Sequence, residues 1–349
     1  MRHSNAWLVV LALCVACGES GTAGGGGTGA TAASGGSDGA GATGGVGGTG
    51  GTSVPEGSYQ VKWGPVEVPS GSESTQCVIK RVGNTERINV HEIHNVLGAT
   101  SHHFIVYRVN DTVERPTPFG CTPFIDTLNP EEGAPIMITQ SADDRLTLPD
   151  GVAYVLEPNQ MVRLELHYIN VSAAPQMAEA TSTFIPIPDE EFEHAADIIF
   201  MGTGDFELPR MQATTGPTVF LKAPATLDGA NFFAITGHEH KHGTNVQVDI
   251  APNPGGPSTP VYQVENFQWD EPETLTYDPP FQLPPGGGFN ITCDWNNTSD
   301  KTVEFGFGVD DEMCFFWAYY YPSQGSVVCV DEVFGYSFCC PGSPECSVL

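Results

Sequence analysis

Residues 162–168 read Val-Arg-Leu-Glu-Leu-His-Tyr, so that apolar and polar side chains alternate along the segment. Because successive side chains of a β-strand point to opposite faces, the leucines lie on one face and Arg163, Glu165 and His167 on the other. The segment therefore predicts a strand with one face in a core and with His167 presented to solvent or to a cleft.

Other segments with strand-like patterns lie on both sides of this one: 104–109, 246–250, 305–309 and 315–321. Clusters of proline and glycine separate them, and the 349 residues contain no long amphipathic helical stretch. We therefore predict an all-β protein with two sandwich domains, at residues 55–188 and 189–325, followed by a cysteine-rich tail at 326–349.

The first residues have the features of an export signal. An apolar run at 7–13 is too short to span a bilayer, and the signal at 1–17 ends in Cys14-Val15-Ala16-Cys17, which resembles a bacterial lipobox. Cys17 is the expected lipidated residue, with a plain cleaved signal as the alternative. Residues 18–54 are rich in glycine and predict a disordered tether. We expect an exported protein whose acyl anchor holds it on a lipid membrane of the bacterial cell envelope, at the outer membrane.

The net charge limits the class of partner, and the cysteine content indicates the compartment. The chain has 13 Lys and Arg against 42 Asp and Glu, a formal net charge of -29, which repels phosphate and argues against a nucleic-acid partner. Beyond Cys17, eight cysteines remain, an even number that suits disulfides in an oxidising compartment. None of these eight forms a Cys-x-x-Cys pair, which disfavours a structural zinc site.

A first group of histidines is a candidate metal site. His102 and His103 open one predicted strand, and His167 lies on the polar face of another. Neighbouring residues of an ideal strand point to opposite faces, so both His102 and His103 can bind one ion only if a bulge or a twisted strand end intervenes. Residues 98–101 would allow such a bulge. The alternative is a pair of exposed histidines without a metal.

A second candidate group is the run His238-Glu239-His240-Lys241-His242. Positions two apart share one face of a strand, which is a spacing suited to chelation. Met313 lies between Glu312 and Cys314 and offers a thioether. A thioether combined with imidazoles favours Cu(I) over zinc, calcium or magnesium, although a single methionine is more often a core residue.

The order and spacing of these candidates resemble the copper type II, ascorbate-dependent monooxygenases, the family of peptidylglycine α-hydroxylating monooxygenase and dopamine β-monooxygenase. A cupredoxin fits less well, because no cysteine here is followed closely by histidine and methionine. The resemblance extends from about Cys77 to Tyr321. It depends on four runs in this order: His102-His103, Leu166-His167-Tyr168, His238-Glu239-His240 and Glu312-Met313-Cys314.

The resemblance implies two jelly-roll-like antiparallel β-sandwich domains that face each other across a cleft, with one copper ion on each. The implied reaction is hydroxylation of a C–H bond in a small organic substrate, with O2 and with ascorbate or another one-electron donor. The implied ligands of the electron-transfer copper are His102, His103 and His167, and those of the oxygen-activating copper are His238, His240 and Met313, with His242 as the rival of His240. The implied disulfides are Cys77–Cys121 and Cys293–Cys314.

Two positions depart from the family pattern. Peptide-amidating members have a substrate-binding arginine and a tyrosine where this chain has Thr236 and Trp317, so a peptide carboxylate is not the expected substrate. The aromatic stripe at 315–321 is read either as a substrate wall or as core packing, and the acids at 310–312 either as solvated turn residues or as groups that orient ligands. An envelope-tethered copper-binding protein without hydroxylase activity, and an adhesion module with incidental histidines, are the alternative functions.

Overall fold

The structure is a computed structural model that describes residues 55–121 and 133–341. The described residues belong to one compact unit. The predicted signal at 1–17, the tether at 18–54 and the lipidation site Cys17 lie outside the described residues. Within the described part of the chain, the helical elements are two three-residue 3-10 turns, Asp189–Glu191 and Ala225–Leu227. No helix there has the length and apolar character that crossing a membrane requires. The prediction of an all-β fold is confirmed.

The N-terminal half, residues 59–187, consists of two sheets. Its strands are β1 (Tyr59–Val68), β2 (Glu73–Arg81), β3 (Ile88–Leu97), β4 (Ser101–Val109), β5 (Arg115–Gly120), β6 (Gly133–Thr139), β7 (Asp143–Thr147), β8 (Val152–Leu156), β9 (Met161–Ile169) and β10 (Gln176–Ile187). One sheet has the order β1-β10-β3-β8, with β7 paired to β3, and the other has the order β5-β2-β9-β4-β6. All these pairings are antiparallel.

The C-terminal half, residues 194–340, contains a six-stranded sheet, a five-stranded sheet and a short strand pair, β13-β21. Its strands are β11 (His194–Ala195), β12 (Asp197–Thr203), β13 (Glu207–Leu208), β14 (Gln212–Thr215), β15 (Val219–Lys222), β16 (Asn231–His238), β17 (Gly243–Ala251), β18 (Thr259–Tyr262), β19 (Thr274–Phe281), β20 (Gly288–Asn297), β21 (Val303–Glu304), β22 (Cys314–Tyr321), β23 (Val327–Val333) and β24 (Tyr336–Cys340). The sheets have the orders β19-β16-β22-β12-β23-β24 and β14-β20-β17-β18, with β15 on β20. Two pairings are parallel, β12 with β23 and β11 with β8 of the N-terminal half.

Strand β22 is buried on both faces and separates two hydrophobic cores. Phe315, Trp317 and Tyr319 pack in a core shared with the N-terminal sheets. Phe316 and Tyr320 point the other way, into a core between the two C-terminal sheets. This alternation follows from the period of two of a strand. It explains why the sequence of β22 is apolar throughout, and it attaches the two halves to each other through a continuous core.

The predicted strand at 305–309 is wrong. Apart from a single bridge between Phe305 and Glu312, the segment forms a turn. Asp311 stabilises this turn, because its carboxylate accepts a hydrogen bond from the backbone N–H of Gly308 at 3.1 Å. A Cβ atom at Gly306 would collide with the Asp311 side chain in this position, so glycine leaves room for the carboxylate. Glu312 and Met313 directly follow this turn.

The segment after Ser326 is not a separate tail. Strand β23 lies next to β12 at the interior of the six-stranded sheet, and Val328 and Val330 are buried in the shared core. A disulfide between Cys329 and Cys339 connects β23 to β24. The prediction of a tail gave weight to the many cysteines and overlooked the four valines of 327–333, which are typical of a strand.

Candidate metal centre

The first histidine group lies on neighbouring strands of one sheet. His103 of β4 is directly opposite His167 of β9, whereas Ser101 is opposite Tyr168, so His102 is an extra residue in β4. This is the bulge that binding by an adjacent pair requires, and it turns both imidazoles to the same side of the sheet. The ring centroids of His102 and His103 lie 5.3 and 4.8 Å from that of His167.

The polar face of β9 is covered rather than solvated, contrary to one of the two expectations for this strand. Glu165 is fully buried, and the Tyr107 hydroxyl donates a hydrogen bond to its carboxylate at 3.1 Å. His167 is itself buried. Both faces of β9 are therefore interior, and the polar face leads into a cleft.

The chemistry of this first group fits a metal. One nitrogen from each of His102, His103 and His167 lies within 4.8 Å of the other two. Both ring nitrogens of His102, and Nδ1 of His167, are buried and have no hydrogen-bond partner among the described residues. Buried polar atoms are rarely left without a partner, so these lone pairs are suited to an ion.

Burial keeps these imidazoles neutral. Burial, together with the nearby His167, lowers the pKa of His102 to about 4, and burial also lowers the pKa of His103 and His167. Glu73 opposes the effect at His167, because its carboxylate lies 2.9 Å from Nε2. That contact assigns the ring proton to Nε2 and leaves the lone pair of Nδ1 for the cluster.

The second group departs from the predicted single strand. Strand β16 ends at His238, and residues 240–243 form a turn in which Gly243 N–H donates to the His240 carbonyl at 2.9 Å. His238 is opposite Phe315 at the end of the pairing between β16 and β22, and the ring centroids of His238 and His240 are 5.3 Å apart. Met313 is buried. The backbones of His240 and Met313 lie close together, because one carboxylate oxygen of Glu312 accepts hydrogen bonds from the N–H groups of both. The Met313 side chain packs in the hydrophobic core, and its role as a ligand stays a prediction.

His240, rather than His242, is directed toward the first group. His240 lines one cavity together with His102 and His167, whereas His242 does not. Burial lowers the pKa of His240 to about 4, and the His242 imidazole lies near Lys241 and Asp310. The turn at 240–243 separates the two side chains, so three imidazoles on one strand face, as the run suggested, do not occur.

Glu312 holds this second group together, and the solvated-turn reading is wrong for this residue. Its side chain is fully buried, and its carboxylate accepts hydrogen bonds from three backbone N–H groups: those of His240 at 2.9 Å, His242 at 2.6 Å and Met313 at 3.3 Å. Burial raises the pKa of Glu312 to about 7 against the opposing effect of these donors. Asp310 is exposed and pairs with Lys241, as the turn reading predicted.

The two groups face one narrow cavity of about 20 Å³. Five of the six predicted ligands line it, namely His102, His103, His167, His238 and His240. Trp269 covers one side, with its ring centroid 5.4 Å from that of His102. Gln140, which no sequence pattern singled out, also lines the cavity and lies 3.0 Å from His238.

A larger cavity of about 300 Å³ lies next to this one. Gln140 lines both, and the larger cavity reaches Thr236 and Trp317, the two positions that depart from the family pattern. The Thr236 hydroxyl is engaged with that of Thr274 at 2.8 Å. Trp317 and Tyr319 belong to the core, as one of the two readings of the aromatic stripe predicted, and they also line this cavity. The reading as a substrate wall stays a prediction.

Both disulfides that the resemblance implies are present. Cys77–Cys121 connects β2 to the residue that follows β5, and Cys293–Cys314 connects β20 to the start of β22. Cys314 directly follows Met313, so the second bridge fixes the backbone next to the predicted thioether ligand.

Residues 195–338 match the sequence profile described as copper type II ascorbate-dependent monooxygenase, C-terminal domain. The recognised resemblance is confirmed for this segment, which contains His238, His240 and Met313. Among solved structures, the chain is similar to the major capsid protein P2 of bacteriophage PM2, with 8% identity over 77% of this chain and 99% of that one and a TM-score of 0.32. It is also similar to a protein described as secreted from Parabacteroides distasonis, with 8% identity, coverage of 79% and 86%, and a TM-score of 0.19. Similarities of this size carry no inference.

Proposed function

We propose, from the presence of a C-terminal domain of the copper type II ascorbate-dependent monooxygenases at residues 195–338, that this protein is a copper-dependent monooxygenase. It hydroxylates a C–H bond of a small organic substrate, with O2 and with ascorbate or an equivalent one-electron donor. Two copper ions bind per chain, one at His102, His103 and His167 and one at His238, His240 and Met313.

The observation that carries this proposal is the cluster of three histidine nitrogens within 4.8 Å in the N-terminal half, next to the histidines of the matched segment. The family profile covers only the C-terminal half. The first group was expected from the order of the motifs alone. Its imidazoles meet where a bulge in β4 faces β9, and burial lowers the pKa of each. Such a cluster has no evident role in packing.

The residues around each group orient the donors. Glu73 directs the Nδ1 lone pair of His167 toward the cluster, and the backbone carbonyl of Asp311 lies 3.1 Å from Nδ1 of His240, which leaves Nε2 as the donor. Glu312 fixes the backbone on both sides of the second group. Bound copper would supply one-electron exchange and activation of O2, with the weak thioether favouring the reduced ion at the second group.

The substrate binds in the cavity of about 300 Å³ beside the second group. Its walls combine the apolar side chains of Met137, Trp317 and Tyr319 with charged groups that include the Asp144 carboxylate and the Arg145 guanidinium. A small molecule that has both apolar and polar groups suits these walls. Thr236 offers no bidentate contact for a carboxylate, so glycine-extended peptides are poor candidates.

A second candidate function is an envelope-tethered copper-binding protein without hydroxylase activity. The observation that favours it is the same Thr236, which removes the family's substrate-binding arginine while the metal-ligand pattern is retained. The two candidates share both metal sites and differ only in turnover.

Oxygen consumption by copper-loaded protein separates these functions. The monooxygenase consumes O2 only when both ascorbate and a substrate are supplied, in a one-to-one ratio with hydroxylated product. Met313→Ile is expected to abolish this turnover, whereas Met177→Ile, at an exposed methionine of β10, is the matched control and is expected to have no effect. Two bound coppers without coupled turnover over a broad panel of metabolites would favour the second candidate.

We further propose that the protein is exported and anchored by an acyl chain on Cys17 in the bacterial cell envelope, at the outer membrane. The sequence at 14–17 supports this proposal. Labelling with a fatty acid analogue in a bacterial host is expected to modify the wild-type protein and not Cys17→Ala. Equal labelling of both proteins, or of neither, would contradict it.

A further inference from the structure

Gln140 is the residue that directly follows β6 of the N-terminal half, and it is buried against the C-terminal half. Its carboxamide lies between two C-terminal residues. The oxygen Oε1 is 3.0 Å from Nδ1 of His238, and the nitrogen Nε2 donates to the backbone carbonyl of Trp269 at 3.5 Å. The side chain also forms part of the wall between the histidine cavity and the larger cavity beside it.

The orientation of this carboxamide is set by Trp269. A carbonyl oxygen can only accept a hydrogen bond, so the NH2 group of Gln140 must face it. Rotating the amide by half a turn would set two oxygen acceptors against each other. The oxygen of Gln140 is therefore the atom that faces His238.

An acceptor at this position decides which nitrogen of His238 carries the proton. A neutral imidazole has one N–H and one lone pair. The proton lies on Nδ1, where it is donated to Gln140, and the lone pair lies on Nε2. A histidine that binds a metal through one ring nitrogen commonly has its other nitrogen fixed in this way.

We propose that Gln140 is a positioning residue of the second metal site, which holds His238 in the tautomer whose Nε2 binds the metal. The inference rests on the proposed function in that the metal is copper. The second site is then completed by a residue of the N-terminal half, although all its predicted ligands belong to the C-terminal half.

The same contact joins the two metal sites. Trp269 accepts from Gln140 through its carbonyl, and its indole ring lies against His102 of the first group. Gln140 of the N-terminal half thus orients His238 of the C-terminal half. In turn, Trp269 of the C-terminal half covers His102 of the N-terminal half. Loss of the Gln140 carboxamide is therefore expected to act on the second site first and on the position of Trp269 second.

The first measurement uses protein without metal. Nitrogen-15 NMR of labelled histidine reports the tautomer of His238, which is identified by loss of its signals in His238→Ala. Wild type and Gln140→Glu, which keeps an oxygen acceptor, are expected to have the proton on Nδ1. Gln140→Leu is expected to lose this preference, and Gln176→Leu, at an exposed glutamine of β10, is the matched control with wild-type signals.

The second measurement is the affinity of each site for copper, by competition with a chelator of known affinity. Gln140→Leu is expected to weaken the second site by about 10–100-fold and to leave the first site within about threefold, while Gln140→Glu restores most of the affinity. The inference is overturned if Gln140→Leu keeps the Nδ1 proton and binds both ions as the wild type does. It is also overturned if the metal-free wild type carries the proton on Nε2.

The proposed function fails in a different way. If the wild type binds no copper at the second site, the monooxygenase assignment is lost, and the tautomer of His238 in the metal-free protein still decides the role of Gln140. If Gln140→Leu lowers both affinities equally, with lost near-ultraviolet circular dichroism, the residue is structural and the inference is overturned.

Discussion

The two histidine groups differ in the backbone that carries their predicted ligands. His103 and His167 are directly opposite each other on neighbouring strands of one sheet, and a single extra residue in β4 brings His102 beside them. His240 and Met313, by contrast, lie in a turn and just before a strand, outside the regular ladder. The first group is a modified piece of sheet, whereas the second is assembled from irregular backbone.

This difference explains why a buried carboxylate binds the backbone of the second group and not that of the first. In a sheet, the ladder itself pairs most backbone N–H groups, so the acid beside the first group, Glu73, contacts an imidazole rather than the backbone. The turn at 240–243 leaves N–H groups inside the protein, and the carboxylate of Glu312 accepts three of them. An irregular site therefore depends on specific side chains, including one from the other half of the molecule.

The largest expected effect is the selective loss of one metal. His167→Ala is expected to remove copper from the first group alone and His238→Ala from the second alone, because the two sets share no ligand. Copper content and EPR of the oxidised protein measure this: the wild type should give two type II signals, one of which disappears in each variant. His94→Ala, at a histidine paired with Asp143 away from both groups, is the control and should keep both signals. A coupled, EPR-silent pair would contradict independent sites.

Glu312→Ala is expected to destabilise the metal-free protein by about 3 kcal/mol or more. The reason is that three backbone donors lose their acceptor, and an unsatisfied buried polar group costs about 1–3 kcal/mol. Urea unfolding measures the loss, and copper binding at the second group should be lost with it. Glu312→Gln keeps one acceptor oxygen and should fall between the wild type and the alanine variant. A wild-type midpoint for Glu312→Ala would show that the turn needs no such support.

Glu73→Ala is expected to weaken copper binding at the first group by about 10–100-fold, with the second group unchanged. The reason is that His167 loses the acceptor for its Nε2 proton while all three ligands remain. Chelator competition gives both affinities in one titration. Glu67→Ala, at an exposed acid of β1, provides the control for the loss of one negative charge. An equal fall at both groups would mean that net charge, rather than ring orientation, is the cause.

The smallest effect is expected for Asp310→Ala, two residues before Glu312. Asp310 is exposed and pairs with Lys241 at the surface, and such pairs contribute about 1 kcal/mol or less. Its unfolding midpoint and both copper affinities should stay close to the wild type. A loss comparable to that of Glu312→Ala would mean that the whole acidic turn, rather than one buried carboxylate, supports the second group.

The strand at 162–168 and the bulge near His102 were predictable because both depend on local order in the chain. Alternation gives the strand, and an adjacent histidine pair can share an ion only if the ladder is interrupted. The turn at 305–309 was not predictable in this way, since alternating Phe and Gly resembles a strand until Asp311 accepts a hydrogen bond from Gly308. The burial of Glu312 depends on a turn some seventy residues earlier in the chain, which no local pattern contains.

By itself, the sequence determined the all-β fold, the identity of the histidines and the methionine that could bind copper, and the resemblance that ordered them into two groups. Only the tertiary structure decided that His240 rather than His242 joins the cavity, that Glu312 is interior, and that Gln140 contacts His238. The physical reason is that periodicity and ligand chemistry are local properties of a chain. The direction of a side chain in a turn, and the partner of a buried polar atom, depend on residues that meet only when distant strands pack.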